Sequence, residues 1–468
     1  MLVMKFGGTS VGSADAIRGV KQIVADARAK QAPVVVVVSA MSTITETLLA
    51  AARAAVAGDT ATMQERLTHL EKKHLDTVDT LFAAGARKDA AKKIVMEIAG
   101  EFRRICSGME LLGELPLRAM DAGLSVGERL SANLVALFLE QEGIPADAVD
   151  SAKCVVTDDN FSSARLLMEP TREATRAHLL PLTQAGRTPI VTGFLGATKD
   201  GIRTTLGRGG SDYSGAILAA ALDADELWIW TDVDGVLSAD PKAVSGARIL
   251  AEVTYEEASE LSHFGAKVLH HKTLAPLASR MIPVWIKNTF APEKPGTRIG
   301  APHPGIGQGP KAVTSLSPVT MFTLQSHGQP GTTELFARTF TALHHAGVEI
   351  LMVTQSSYQD NFCLLVPKDA ADAALTALET AFRLELNHNY LEPIARQDVA
   401  AIALIGEGMR GTRGVASQLF GSLAKEKINI MAIAQGSSET NISLAVNTAD
   451  KSAAVKATHD GCVAPYLK

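Results

Sequence analysis

Leu2-Val-Met-Lys-Phe-Gly-Gly-Thr-Ser-Val11 is the stretch whose reading decides the fold. Leu2–Phe6 reads as a short strand and Gly7-Gly8 as a turn. Ser13 is placed to cap a helix reaching about Lys30, with Ile17, Val20, Ile23, Val24 and Ala27 on one face. Pro33 then opens Val34–Val38, an apolar run suited to a parallel strand buried on both faces. Further strands are expected at Pro189–Leu195, Glu226–Trp230 and Ile282–Lys287. Strands alternating with helical patterns predict an α/β fold, a mostly parallel sheet sandwiched by helices. Residues 46–112 are rich in Ala, Glu, Lys and Leu and predict a helical excursion from that sheet.

Composition bounds the function. The chain has 468 residues, which suggests roughly three domains at about 150 residues each. Hydrophobic residues make up 46% and charged residues 20%, too apolar for a disordered chain. A formal net charge of −5 leaves no basic footprint for nucleic acid and no polybasic membrane anchor. The uninterrupted apolar runs, the five valines among them, fall far short of the roughly 20 residues of a membrane span. Cys106, Cys154, Cys363 and Cys462 are scattered, so neither a zinc site nor a disulfide framework is expected, and no metal ligands are assigned. The apolar strand beginning at Leu2 leaves no room for a leader peptide, and a cytoplasmic location is expected.

Residues 301–310, Ala-Pro-His-Pro-Gly-Ile-Gly-Gln-Gly-Pro, are too dense in Pro and Gly for a helix or central strand. A boundary is expected here: one α/β domain over 1–300, a linker over 301–311, and two small modules over 312–394 and 395–468. Shifting the chain by 80 residues brings Gly328, Gly331, Thr332, Phe340, Leu343, Ile350, Gln355, Ser357, Asn361, Leu364 and Val366 onto Gly408, Gly411, Thr412, Phe420, Leu423, Ile430, Gln435, Ser437, Asn441, Leu444 and Val446. Each copy reads as a ferredoxin-like βαββαβ module, used twice. Ala312–Leu316 and Val319–Gln325 both precede the first copy as strand-like stretches, which leaves room for a strand exchanged between the modules. A duplicated small module after an α/β domain favours ligand sensing over chemistry, and dimer contacts are compatible with it.

Two glycine-rich turns each follow a strand and lead toward a helix: Lys5-Phe-Gly-Gly-Thr-Ser10 and Leu206-Gly-Arg-Gly-Gly-Ser-Asp212, the second followed by an Ala/Leu helix expected over Tyr213–Leu222. Glycines let backbone come close to a ligand, and helix N-termini aim N–H donors at anions. With Lys5 and Arg208 close by, the two turns suit a polyphosphate. Thr231-Asp-Val-Asp-Gly235 taken alone is an ordinary acidic turn. Phe264-Gly-Ala-Lys-Val-Leu-His270 falls in a helical region, where Lys267 is either a solvated lysine or a phosphate contact from a partly buried place. Ser125-Val-Gly-Glu-Arg-Leu-Ser131 places Glu128 just before an apolar helix, either as first-turn charge or as an acid holding a substrate amine.

Together these pieces resemble the aspartate kinases of the amino-acid-kinase superfamily. Lys5-Phe-Gly-Gly-Thr-Ser-Val11 and Thr204-Thr-Leu-Gly-Arg-Gly-Gly-Ser-Asp212 look like the two family signatures, and Trp230-Thr-Asp-Val-Asp-Gly235 and Phe264–His270 look like its nucleotide segments. The duplicated modules look like the family's two ACT domains. Thr354-Gln-Ser-Ser357 and Ala432-Ile-Ala-Gln-Gly-Ser-Ser438 are most similar to the threonine-sensitive branch, here expected without the fused homoserine dehydrogenase.

The resemblance implies phosphorylation of the β-carboxylate of L-aspartate by MgATP, the metal carried by the nucleotide. That is the first step toward lysine, threonine, methionine and isoleucine. By likeness, Lys5 stabilises the transferring phosphoryl group, Gly7, Gly8 and Gly209 let amides approach the phosphates, and Asp212 orients Lys5. Arg208 would grip the α-carboxylate of aspartate and Glu128 its α-ammonium, with Ser39, Thr45, Phe194 and Ser211 lining the pocket. Thr231, Asp232, Leu237, Lys242, Lys267 and Val268 would meet ATP. Gln355, Asn361, Gln435 and Asn441 would contact an amino-acid effector, threonine rather than lysine. At least a homodimer is implied, paired through the ACT modules. Leu237, Lys242, His271, Thr43 and Glu46 depart from the family pattern and are expected to alter nucleotide affinity more than reaction type. Two alternatives stand beside this reading: a kinase for another acid such as glutamate, and a catalytically silent amino-acid-sensing regulatory subunit.

Overall fold

The computed structural model describes residues 1–30, 33–266, 269–302, 309–327, 330–356 and 360–467. The chain divides into two compact units. The first comprises Met1–Val236, Ala251–Tyr255 and Leu269–Ala301; the second comprises Leu237–Leu250, Glu256–Val268 and Pro302–Lys468. The division is thus not a single cut near the Pro/Gly-rich stretch, because two shorter segments before it group with the C-terminal part.

Elements through the first half run β1 (Leu2–Phe6), α1 (Ala14–Lys30), β2 (Val34–Val38), α2 (Ile44–Val56), α3 (Thr60–Leu81), α4 (Ala86–Leu112), α5 (Leu117–Gln141), β3 (Ala146–Val149), α6 (Met168–Gln184), β4 (Thr188–Thr192), β5 (Leu195–Ala197), β6 (Arg203–Thr205), α7 (Gly210–Ala221), β7 (Glu226–Thr231), β8 (Glu252–Thr254), α8 (Tyr255–His263), α9 (His271–Ala278), β9 (Val284–Asn288) and β10 (Thr297–Gly300). An eight-stranded sheet of order β3-β4-β2-β1-β7-β9-β10-β8 forms the first unit, parallel except where β10 meets β9. All five valines of β2 are buried, as a strand covered on both faces requires. Ser13 Oγ accepts from Ala16 N at 3.2 Å, and the expected apolar face of α1 is buried.

Four sequence expectations are corrected among these elements. The strand expected over 189–195 is two strands, because Gly193 and Phe194 (φ 67°) break it. The helix of the second glycine turn starts at Gly210 rather than Tyr213. Glu128 does not precede its helix but lies well inside α5, so a first-turn role with the helix dipole is excluded. Residues 264–266 lie beyond α8, with Gly265 at φ 90°, and His270 caps α9; the described part of that motif is not helical. α5 is long and apolar enough by composition to cross a membrane, yet most of it is buried in a core shared with β1, α1, β2 and α2–α4.

The second unit holds β11 (Ala312–Ser326), α10 (Thr332–His345), β12 (Met352–Gln355), β13 (Asp360–Pro367), α11 (Ala371–Ala381), α12 (Arg383–Asn387), β14 (Ala395–Ile405), α13 (Val415–Lys425), β15 (Ala432–Gln435), β16 (Asn441–Asn447) and α14 (Lys451–Thr458). The 80-residue shift carries β12 onto β15 and nearly carries β13 onto β16, so the repeat in the sequence is a repeat in space. All six strands join one antiparallel sheet, β12-β13-β11-β14-β16-β15. The two strand-like stretches before the first copy are one strand, β11, whose register against β14 shifts between Leu316 and Val319. Its first part, Ala312–Leu316, pairs with Ala401–Ile405, and its second part pairs with both β13 and the start of β14. The long strands β11 and β14 therefore serve both modules, and neither presents an open edge to the other.

Candidate active site

The carboxyl ends of the parallel strands β1, β2, β4 and β7 are where an open α/β sheet receives ligands. Backbone hydrogen bonds stitch the loops there together. Gly7 N donates to Trp230 O at 3.0 Å, Ser39 N to Phe6 O at 3.1 Å, Ser42 N to Gly8 O at 3.0 Å and Gly193 N to Val38 O at 2.8 Å. The approach is close enough that a Cβ on Gly8 would stand 2.9 Å from the Ala40 carbonyl oxygen. Any larger residue would push the first glycine turn off the second loop.

Lys5, on β1, is 7% exposed, and its Nζ lies 2.5 Å from Asp212 Oδ1 in the first turn of α7. The two glycine-rich turns identified in the sequence thus meet through an ion pair. Gly209, at φ 71°, precedes α7, and a Cβ there would stand 2.9 Å from the Cβ of His270. The left-handed conformation and the close neighbour both call for glycine. Ser211 packs against Gly193, where a Cβ would lie 2.9 Å from its own Cβ. Phe194 N donates to Ser214 Oγ at 2.8 Å, and Phe194 O accepts from Leu206 N at 3.0 Å, which ties the pocket-lining loop to the second glycine turn. Arg208 is exposed and has no ion-pair partner among the described residues.

Glu128 is 3% exposed. Burial pushes its carboxyl up to about 8, against the opposing pull of a hydrogen bond from the Ala40 backbone N–H and of the Lys5 charge. Its Oε2 is buried with no hydrogen-bond partner among the described residues. An acid buried in this state calls for a cation or a donor. Ser131, one turn on, donates to Ser39 O at 2.6 Å and holds the loop after β2 to α5. Ser39 follows β2 and Thr45 lies in the first turn of α2; both are half-buried.

Thr231 closes β7 and Asp232 follows it, exposed. The neighbouring loops are braced by Ser10 Oγ against Thr289 Oγ1 at 2.7 Å and by Asp234 with Asn288 and Lys294, both at 2.6 Å. Leu237 and Lys242 belong to the second unit; Leu237 is half-buried and Lys242 exposed. Lys267 and Val268 lie outside the described residues. Among the described residues no group of His, Cys, Asp and Glu could hold a metal ion.

In the second unit, the exposed Gln355 and Gln435 end β12 and β15, and the half-buried Asn361 and Asn441 stand near the starts of β13 and β16. Equivalent in sequence, the two asparagines have different partners. Asn361 Nδ2 reaches Gln325 Oε1 at 3.5 Å, whereas Asn441 Nδ2 donates to the Glu260 carboxylate of α8 at 2.6 Å.

Two site-supporting residues escaped the sequence reading. Lys73 of α3 donates to the Ser42 carbonyl and lies 3.4 Å from Thr43 Oγ1, bracing the loop before α2. Asp121, two turns before Glu128 on α5, is fully buried and accepts from Ser162 and Thr205. The available signal was an acid on the buried face of an otherwise apolar helix.

The model of the amino acid kinase family matches residues 1–288, and an ACT-domain model matches 323–382 and 402–461. The bifunctional aspartokinase/homoserine dehydrogenase of Haemophilus influenzae is 34% identical over 98% of this chain. The chain spans 56% of that protein and about half of the similar plant bifunctional enzymes. Aspartokinase 1 of Arabidopsis thaliana is 32% identical over 98% of this chain and 79% of its own length. The crystal structure of E. coli aspartokinase III in complex with aspartate and ADP superposes with a TM-score of 0.85 at 28% identity, covering 98% of this chain and 99% of that one. With its glycine turns joined by Lys5 and Asp212, its tandem ACT modules and these relatives, the chain belongs to the aspartokinase family of amino acid kinases.

Proposed function

We propose that the protein transfers the γ-phosphoryl group of MgATP to the β-carboxylate of L-aspartate. The observation that carries this reading is the 2.5 Å Lys5–Asp212 pair at the strand ends, with the buried Glu128 in the field of the same ammonium. A β-carboxylate oxygen attacks the γ-phosphorus, a P–O bond forms, and the bond to the β,γ-bridging oxygen breaks to release ADP. No base is required, because the nucleophile is already ionised near neutral pH. Phosphoryl transfer asks the protein for positioning and charge neutralisation. Lys5 meets the developing charge, Asp212 orients it, and the amides near Gly7, Gly8 and Gly209 approach the phosphates. Arg208 holds the α-carboxylate through its planar fork, and Glu128 holds the α-ammonium. Ser39, Thr45, Phe194 and Ser211 line the aspartate pocket. Thr231 and Asp232 meet the nucleotide; roles for Leu237, Lys242, Lys267 and Val268 rest on resemblance alone.

Support comes from relatives named aspartokinase and from the aspartate and ADP complex of the E. coli enzyme. The ACT modules take an amino-acid effector, and sequence likeness favours threonine over lysine. A second E. coli aspartokinase III structure, with a TM-score of 0.78, is a complex with lysine and aspartate. Lysine is therefore the second reading for the effector. The reaction opens the route to lysine, threonine, methionine and isoleucine, in a cytoplasmic homo-oligomer paired through the ACT modules.

The test is ADP release from MgATP with L-aspartate, L-glutamate or no acceptor, each with and without millimolar threonine or lysine. Aspartate-dependent release suppressed by threonine is the expected result. Folded protein that binds threonine but releases no ADP with any acceptor would replace the kinase reading with a silent sensor.

A further inference from the structure

Asp121 is a fully buried acid to which the proposed chemistry assigns no task. It shares a face of α5 with Glu128, seven positions and two turns away. Among the described residues, every hydrogen-bond partner of its carboxylate is a donor. Ser162 N donates to Oδ1 and Oδ2 at 3.1 and 2.9 Å, and Ser162 Oγ to Oδ1 at 3.3 Å. Thr205 N donates to Oδ2 at 2.9 Å and Thr205 Oγ1 to Oδ1 at 2.8 Å. Both partners sit at places that need holding. Ser162 is in the left-handed region at φ 68°, an uncommon place for a serine. Thr205 ends β6 and leads directly into Leu206-Gly207-Arg208. The loop of Ser162 and the end of β6 also bond to each other, Ala164 N to Thr205 O at 2.9 Å.

An apolar side chain would pack α5 without the desolvation cost of an acid. What an acid adds here is direction: one carboxylate fixes a loop and the end of β6 on the helix that carries Glu128. We propose that Asp121 is a positioning residue that sets the span between Arg208 and Glu128, and with it the fit to an acid whose carboxylate and ammonium share one carbon. This rests on the roles given to Arg208 and Glu128 above.

Asp121→Asn keeps the volume but turns an amide donor toward N–H and O–H donors. KM for aspartate, KM for ATP and kcat are measured for wild type, Asp121→Asn, Arg208→Ala and the double variant. The expected result is an aspartate KM raised about tenfold or more by Asp121→Asn, an ATP KM within about twofold, and almost no further rise when the change is made on Arg208→Ala. Equal rises in both KM values, or penalties that multiply in the double variant, would overturn the proposal. If Asp121→Asn does not fold, Thr205→Val and Thr205→Ser decide: Val should raise the aspartate KM alone and Ser should restore it, and equal values for the two would overturn it. Wild-type turnover separates the two levels. Aspartate-dependent turnover with an unresponsive Asp121 removes only this inference, whereas no wild-type turnover removes the kinase reading and this inference together.

Discussion

Lys5 Nζ and Asp212 Oδ1 stand 2.5 Å apart and join the end of β1 to the first turn of α7. The pair fixes a nearly buried ammonium between two glycine turns that are far apart in the chain. A lysine held this way costs little reorganisation when charge develops beside it. Lys5→Ala should lower kcat by about a hundredfold or more, with circular dichroism unchanged. Near-normal turnover would remove Lys5 from the mechanism.

Glu128 predicts a pH dependence. Its pKa in the folded protein is raised to about 8, so below that pH the ligand-free carboxyl is largely protonated. Binding an ammonium requires the anion, so aspartate binding should release a proton and KM for aspartate should fall as pH rises toward 8. The stability sign is opposite. The unfolded acid ionises above its ordinary value while the folded one resists, so Glu128 weakens the fold progressively between about pH 4.5 and 8. Glu128→Gln should flatten the KM profile and remove that loss. An unchanged KM profile would exclude Glu128 from substrate binding.

Arg208→Lys should raise the aspartate KM with little change in ATP KM. A lysine keeps the charge but loses the two-pronged geometry that fits a carboxylate. An unaltered aspartate KM would count against the carboxylate role.

His74 on α3 is fully buried, and burial lowers its pKa to about 4, against a hydrogen bond to Leu70 O at 2.8 Å. The unfolded histidine takes a proton near pH 6.5 and the folded one does not, so stability should be lost as pH falls from about 6.5 to 4. The full effect is on the order of 3 kcal/mol. Denaturant titrations of wild type and His74→Leu at pH 7 and pH 5 check this; the variant should lose less stability between the two. Equal losses would show that His74 is not the sensor.

Glu260 occupies the amide of Asn441 at 2.6 Å, the position proposed to meet an effector in the second module. Glu260→Ala should strengthen threonine binding by about threefold or more, because the competing carboxylate is gone. Calorimetry showing identical binding would remove Asn441 from the effector site.

Much of the site was legible because its parts are local. Lys5-Phe-Gly-Gly and Gly-Arg-Gly-Gly-Ser-Asp212 carry their meaning within a few residues, since glycines and short cation spacings report what a turn must do. The 80-residue repeat was legible for the same reason, and β12 and β15 fall on it residue for residue. Glu128 was named but misplaced, because an acid inside an apolar helix looks like an acid before one until the helix has neighbours. Asp121 was missed entirely, since its donors, Ser162 and Thr205, come from a loop and a strand distant from it along the chain.

Sequence alone determined the alternating α/β pattern, the duplicated modules and the two glycine turns, because periodicity and turn chemistry act over short distances. Tertiary structure alone decided that Lys5 pairs with Asp212, that Glu128 is buried in the field of Lys5, and that Asn361 and Asn441 differ in their partners. Those outcomes depend on burial and on contacts between residues distant along the chain. A hydrogen bond or a desolvation penalty is set by what packing brings to a side chain, which no local pattern records.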